Sequence, residues 1–462
     1  MSEDEPRDET NGAESTSDEP TGFRDRFAQL PRWQADLAVI VGSLLAVYAF
    51  IIALGMIAGL GTSGVMRTLR TVTFLGASYA LVVLALNLHW GYTGLFNIGV
   101  AGFMAVGAYV MAIAVSDPDP GFGPAGLGLP MPVAIVLGVV AAGLVGLIVV
   151  LPALRIRADY FAIVTLAFAE VIRLLVTSGA LAEFSVLGRE LGTGGGSGIS
   201  FTRLEAFVPE WVLYQGGDPS QGTNVLGYQI LTITNSLGIG RTTVENWIYT
   251  LTLVLLVVLI FWLMVRTGNS PFGRVLKAIR EDELATKSLG KNTNLVKVKV
   301  FVLGCAIMGL AGIMWQGRNG YVDPNAFLPI VTFYIFIALI IGGSGSNTGS
   351  VVGAFVFVGL LFEGPPYVQR IVRQNVSLPS PNTVYEAFGA GDPLYIVGYV
   401  IGELPNLRFV LFGIILILLM IYRPDGLLGH RNEPASPLDL RREQSPNATM
   451  DARGTAGGEG DE

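Results

Sequence analysis

Apolar runs and polar breaks alternate along this chain at the scale of a membrane. Ten runs are nearly free of charge, at 36–59, 72–88, 94–115, 131–151, 160–178, 247–265, 298–316, 326–342, 349–363 and 408–422. A helix crossing a bilayer needs about 20 predominantly apolar residues, because hydrocarbon offers the backbone no hydrogen-bond partners. The pattern predicts an all-α fold: a polytopic membrane helical bundle of about ten transmembrane spans. Three runs, 72–88, 326–342 and 349–363, are short. Short or Gly-interrupted spans signal broken helices. An even number of crossings puts both termini on one side.

The polar breaks define the remaining layout. A spanning domain covers 36–430, between an acidic tail at 1–35 and a polar tail at 431–462, both expected to be disordered. Residues 1–20 hold eight acids and one arginine, which matches the whole net charge of −7. Charged residues make up only 14% of the chain, against about 25% in soluble domains. The pI near 5.1 and mean hydropathy of +0.56 exclude a nucleic-acid-binding or wholly disordered chain.

Loop charge gives the direction. Segment 266–297 carries Arg266, Arg274, Lys277, Arg280, Lys287, Lys291 and Lys297; 152–159 carries Arg155 and Arg157; 423–431 carries Arg423 and Arg431. All three fall on one side of a ten-span chain, which the positive-inside rule makes cytoplasmic. The expectation is a multi-pass plasma-membrane protein in a lipid bilayer, with cytoplasmic termini and long external loops at 179–246 and 364–407. Arg67 and Arg70, in the predicted external loop 60–71, run against this reading.

Catalytic chemistry is not legible. One cysteine, Cys305, excludes a disulfide framework, and two histidines, His89 and His430, leave little for a metal. Leu289-Gly290-Lys291-Asn292-Thr293 falls short of a phosphate loop, since Ala285 replaces its first glycine and Asn292 follows the lysine. No Ser/His/Asp set can be assembled. The reading is no enzyme, no catalytic residue, no metal and no cofactor. Energy must come from an ion gradient or another subunit.

Six segments carry information. Gly91-Tyr92-Thr93-Gly94-Leu95-Phe96-Asn97-Ile98-Gly99 follows Asn87 at the end of a span. Its glycines suit a broken helix lining a path, or a close helix-packing interface. Leu154-Arg155-Ile156-Arg157-Ala158-Asp159-Tyr160-Phe161 leads into a span holding Glu170 and Arg173 at i, i+3. Membrane-buried charge costs at least ~2.5 kcal/mol per residue, so this pair faces water or protein, as a path-lining gate or a structural ion pair. Thr193-Gly194-Gly195-Gly196-Ser197-Gly198-Ile199 reads alone as a flexible linker. Residues 270–290 begin with Ser270-Pro271 and stop at Gly290; Leu276, Ile279, Leu284 and Leu289 give an approximate apolar face. That makes one or two short amphipathic helices, lying on lipid headgroups or against a partner. Ala338-Leu339-Ile340-Ile341-Gly342-Gly343-Ser344-Gly345-Ser346-Asn347-Thr348-Gly349-Ser350 is a Gly-rich turn between two short spans. Tyr422-Arg423-Pro424-Asp425-Gly426-Leu427-Leu428-Gly429 closes the last span.

In this order the segments resemble the permease subunits of branched-chain amino acid ABC transporters, the LivM type of binding-protein-dependent inner-membrane permeases. The matching elements are the Gly-Tyr-x-Gly-Leu segment, Arg-x-Arg-x-x-Tyr-Phe-Ala, Thr-Gly-Gly, Phe-Gly-Arg-x-Leu-x-Ala-Ile-Arg-Glu and the terminal Arg-Pro-x-Gly-Leu-Leu-Gly, spread over about 72 to 430. The resemblance implies that 266–297 is a cytoplasmic coupling loop docking on an ATPase, with Arg280, Glu281, Glu283, Leu284 and Gly290 at the coupling positions. It implies as partners two cytoplasmic ABC ATPase subunits, a second related permease and an extracellular substrate-binding protein. Asn87, Tyr92, Asn97, Glu170 and Arg173 are the candidate path or gate residues. The chain departs from the pattern at Asn97 and Val100, where relatives often have Ser and His, and at Gly290, one place late for the importer coupling motif. The implied function is an importer permease for branched-chain amino acids; urea or short amides are the alternative cargo. An ion-coupled secondary transporter is the alternative of another class, and it would need a repeat and a midplane ion site that the sequence does not offer.

Overall fold

The computed structural model describes residues 32–57, 59, 61–119, 124–153, 158–186 and 189–429. The two tails beyond these bounds, and Arg155, Arg157 and His430, lie outside the described residues.

Each apolar run becomes a helix. In chain order these are α1 (Arg32–Ile57), α2 (Thr62–Leu86), α3 (Val100–Val115), α4 (Met131–Ala153) and α5 (Ala158–Thr177). A smaller lobe follows: α6 (Gly179–Ala182), an antiparallel hairpin of β1 (Phe184–Val186) and β2 (Arg189–Leu191), β3 (Ile199–Ser200), α7 (Leu204–Leu213) and α8 (Val225–Ser236). Then come α9 (Arg241–Gly268), the short α10 (Pro271–Glu281) and α11 (Glu283–Ser288), α12 (Thr293–Gly317), β4 (Tyr321–Val322), α13 (Pro329–Gly342) and α14 (Asn347–Val356). The described chain ends with α15 (Gly364–Asn375), α16 (Val384–Gly389), α17 (Pro393–Gly402) and α18 (Leu404–Tyr422).

Among the described residues, eight helices are long and apolar enough to cross a membrane. Of the three runs expected to be short, only 326–342 gives a short helix, Pro329–Gly342. Run 72–88 is part of an unbroken 30-residue helix, Thr62–Gly91, and run 349–363 is part of another, Asn347–Asn375. Arg67 and Arg70 end the apolar count but not the helix, because Arg70 pairs with Glu205 of α7 at 2.8 Å. The short apolar helices are Val100–Val115, Pro329–Gly342 and Pro393–Gly402. α3 starts six residues later than its apolar run, since 94–99 is irregular. Segment 364–407 is three helices rather than a loop.

α2 is the axis of the bundle: its apolar window is 89% buried, against 6% for α18. It packs on α14, α9, α12 and α13, while α3, α4 and α12 form a second tight group. Small residues permit this closeness, as they do between helices in lipid. At the α3–α12 crossing, a Cβ on Gly107 would lie 2.5 Å from the Gly309 backbone, and one on Gly138 of α4 2.5 Å from the Gly107 carbonyl.

The Gly-rich segment after β2 is an ordered turn, not a flexible linker. The Thr193 hydroxyl donates to the Val176 carbonyl at 2.8 Å, tying the turn to α5. β3 then pairs with β4, Ile199 opposite Val322, so the lobe is joined to the end of α12.

Candidate functional site

Segments far apart in sequence converge at one end of the bundle, where α2, α9, α13 and α18 finish and α12 and α14 begin. The first is the break after α2. The helix widens into a π turn, Asn87–Gly91, of the kind that often marks functional positions. Gly94 then takes φ +72, a left-handed conformation that glycine adopts without cost.

His89 anchors this break. It is fully buried and stacked on Phe301 of α12, with ring centroids 4.7 Å apart. Its Nε2 faces the Phe301 carbonyl at 3.1 Å, which can only accept, so Nε2 carries the proton. Nδ1 is then free to accept from Asn97 Nδ2 at 3.2 Å. Asn97 Oδ1 in turn accepts from the Gly99 amide at 2.9 Å. Sequence reasoning set His89 aside as a metal ligand and gave it no role. Its signal was a titratable ring two residues from Asn87 inside a span.

The second segment is 266–297. Ser270 caps α10 through the Gly273 amide at 3.2 Å, and Pro271 opens it. Gly273, Leu276 and Ile279 are buried. Asp282 breaks the helix with φ −151 and caps α11 by accepting from the Ala285 amide at 2.9 Å. This break overturns the single apolar face: Leu276 and Ile279 turn inward, while Leu284 and Leu289 are 75% and 79% exposed. Gly290, at φ +76, ends the unit.

The five coupling positions divide accordingly. Arg280 turns back toward the bundle and donates from Nη1 to the Gly91 carbonyl. Glu283 ties α11 to α12: it accepts from Lys297 at 2.6 Å and from Thr293 at 3.0 Å, and pairs with Lys287 at 3.1 Å. Burial pushes its carboxyl up, but the Lys297 and Lys287 contacts outweigh that and hold it at about 2. Glu281, Leu284 and Gly290 are exposed.

The third segment is the turn between α13 and α14. Gly343, at φ +107, reverses the chain, and Ser346 caps α14 through the Gly349 amide at 3.0 Å. Asn347 reaches the first segment twice, accepting from Asn87 Nδ2 at 3.0 Å and donating to the Tyr92 hydroxyl at 3.0 Å. Asn87 Oδ1 also accepts from the Gly345 amide at 2.7 Å. The terminal motif straps this turn: the Leu427 and Leu428 amides donate to the Ile341 and Gly342 carbonyls at 2.8 and 3.1 Å.

Asn87, Tyr92, Asn97 and Arg280 thus share one connected region, with Asn87 and Asn97 wholly buried within this chain. Glu170 and Arg173 stand apart, paired through two contacts of 2.9 and 2.5 Å near mid-length of α5. The buried stripe of α5 is Phe161, Ala162, Thr165, Ala169 and Val176, and the pair is half-buried beside exposed Val171 and Leu174. Thr165 connects α5 to the break, accepting from the Ile98 amide at 3.0 Å.

A family model described as "Branched-chain amino acid transport system / permease component" matches residues 68–420. LivM of Salmonella typhimurium, named a high-affinity branched-chain amino acid transport system permease protein, is 29% identical over 393 residues, 85% of this chain and 77% of its own. A probable branched-chain amino acid transport permease protein LivM of Methanocaldococcus jannaschii is 25% identical, covering 76% of this chain and 90% of its own. LivH of Salmonella typhimurium, also named a permease protein of that transport system, is 23% identical, covering 61% of this chain and 80% of its own. No solved structure matches. The relatives are permease components of transport systems, and the long apolar helices make this a multi-pass membrane protein. With residues 68–420 matched, from the beginning of α2 to the last span, the chain belongs to the family of branched-chain amino acid transport permease components.

Proposed function

We propose that this chain is one permease subunit of an ATP-binding-cassette importer for branched-chain amino acids. The observation that carries this reading is the α10–α11 unit. It is anchored to the helix break through Arg280 and to α12 through Glu283, while it presents Leu284 and Leu289 outward. A short polar helix pair fixed to the spans, with two exposed leucines, is built to receive force from a partner. Its basic flank supports a cytoplasmic position for it and for both termini.

In this reading two cytoplasmic ATPase subunits close on ATP and push on α11. A second, related permease pairs with this chain. An extracellular binding protein docks on the lobe at 179–246 and on 364–407 and releases cargo between the two permeases. The permease cleaves no bond; it is a two-state element biased by ATP from one side and by the binding protein from the other. Glu170 and Arg173 belong to the path or its gate. Their mid-span, half-buried position beside exposed apolar residues is intolerable against acyl chains and suits water or a partner helix. Asn87, Tyr92 and Asn97 hold the broken helix rather than touch cargo.

Co-purification of the tagged chain in mild detergent, with mass spectrometry and ligand binding to the partner binding protein, tests this. A stoichiometric ATPase, a second permease and leucine binding are expected. Urea bound in place of leucine overturns the cargo. A chain that purifies alone overturns the importer.

A further inference from the structure

We propose that Tyr92 and Asn347 form a positioning relay that makes the coupling helix and both helix breaks move as one body. The inference deepens the importer reading and rests on it for the direction of force, but the relay itself is stated in this chain's own contacts.

The relay runs through four elements. On α10, Arg280 donates to the Gly91 carbonyl, and Lys277 Nζ sits 6.0 Å from the centre of the Tyr92 ring. Next along the chain, Tyr92 accepts from Asn347 Nδ2 at 3.0 Å. Asn347 Oδ1 accepts from Asn87, and Asn87 Oδ1 accepts from the Gly345 amide. Every bond has a defined direction, since each amide nitrogen donates and each amide oxygen accepts.

Three glycine positions make the assembly possible. A Cβ on Gly91 would lie 1.9 Å from Asn87 Oδ1 and 2.6 Å from the Gly345 nitrogen. One on Gly268, at the end of α9, would lie 2.6 Å from the Tyr92 hydroxyl. The turn is held from behind by a Gly343 that would meet Asp425 and Gly429. Asn87, Asn347 and Tyr92 are each at least nine-tenths buried. A buried, mutually satisfied set of amides keeps one geometry, because any displacement leaves a donor unpaired. Movement of α10 therefore reaches Gly345, although Arg280 lies on α10 and Gly345 in the turn between α13 and α14.

The test uses the intact chain in its membrane complex. Cys305 is buried, so a cysteine introduced by Ser344→Cys reports on the turn. Arg280→Ala is expected to raise thiol labelling at position 344 about fivefold, the lower end of measured site-to-site couplings. Tyr92→Phe should raise it similarly, and Arg280→Ala should then add less than about twofold, the non-additivity of residues in one network. Rates that multiply independently overturn the relay. In the same complex, Tyr92→Phe should lower stimulation of ATP hydrolysis by leucine-loaded binding protein about tenfold, the equivalent of one buried bond left unmade, while the ATPase still co-purifies. Unchanged stimulation overturns a relay role in coupling. If Asn347→Ala fails to fold, the isosteric Tyr92→Phe still decides. Absence of any ATPase on the unsubstituted chain overturns the importer reading instead, and the labelling cycle then decides the relay alone.

Discussion

The two ends of the bundle are fastened by different chemistry. At the coupling end, the joints between α2, α10 and α14 run through backbone groups, buried amides and a buried phenol, with one guanidinium, that of Arg280 on the Gly91 carbonyl. At the opposite end, the lobe is held by charge. Glu205, in the first turn of α7, is shared between Arg70 of α2 at 2.8 Å and Arg318, just past α12, at 3.9 Å. A second joint lies at the start of α9, where Glu245 accepts from the Tyr214 hydroxyl of the lobe at 3.2 Å and is itself paired within α9 to Arg241 at 2.8 Å. Short neutral bonds are directional and insensitive to salt. Ion pairs tolerate sliding and are screened over about 8 Å at physiological ionic strength. A joint that transmits a small displacement needs the first kind. A lobe that adapts to a docking protein is better served by the second.

The sharpest way to break this comparison is Glu205→Ala. It leaves Arg70 and Arg318 facing one another without the carboxylate they share, and Arg318 already lies over the Phe74 ring at 4.8 Å. Removing one partner of a largely buried pair costs about 3 kcal/mol or more. Thermal unfolding in detergent should shift accordingly, and protease should cut within 179–246 first. Neutralising both sides, Arg70→Met with Glu205→Leu, should recover most of the loss. A shift under about 1 kcal/mol would mean that β3–β4 pairing, not charge, fastens the lobe.

A smaller effect belongs to Glu283, which holds the coupling end through ion pairs. Its carboxyl is held at about 2, below its ordinary value of 4.5. A depressed carboxylate stabilises above its unfolded value and loses that contribution as pH falls through its folded one. The α11–α12 elbow should therefore be firm at neutral pH, loosen below about pH 4.5 and be free near pH 2. A spin label at Ser288→Cys should report this rise in mobility. Glu283→Gln should raise mobility at pH 7, flatten the pH dependence and cost about 1 kcal/mol, as for a partly exposed pair. An unchanged pH profile in the variant would place the titration elsewhere.

Much of this plan was legible from apolar periodicity: all ten runs are helical, because in hydrocarbon a long apolar run has no other way to satisfy its backbone. Helix ends were less legible. Arg70 reads as a loop residue until its partner 135 positions away is known, and a contact of that range leaves no local pattern. The split at Asp282 was half visible, since Asp is both a helix breaker and a cap, but the inward and outward fates of Leu276 and Leu284 depend on the angle at that one residue. Asn87, Tyr92 and Asn97 stood out as polar groups near a break. What they bind could not be read, because Asn347 and Met308 are brought there only by packing. His89 was missed because a lone histidine in a span carries no period.

The smallest effect on the chain itself belongs to the surface that matters most to its proposed partners. Leu284 is 75% exposed among the described residues, so Leu284→Glu should change the stability of the permease by less than about 0.5 kcal/mol. The same change places a charge where an ATPase cleft would have to desolvate it, and truncating a central apolar anchor of an interface commonly costs over about 1 kcal/mol. The ATPase should therefore be lost from the purified complex although the chain melts as before. Glu283→Gln makes the necessary contrast, since it loosens the elbow while leaving Leu284 in place, and retained ATPase there would separate contact from support. If Leu284→Glu kept its ATPase through gentle and stringent washes alike, α11 would not be the docking surface. The rigid joint of the coupling end would then have to be driven through α10, whose Leu276 and Ile279 are already buried in this chain.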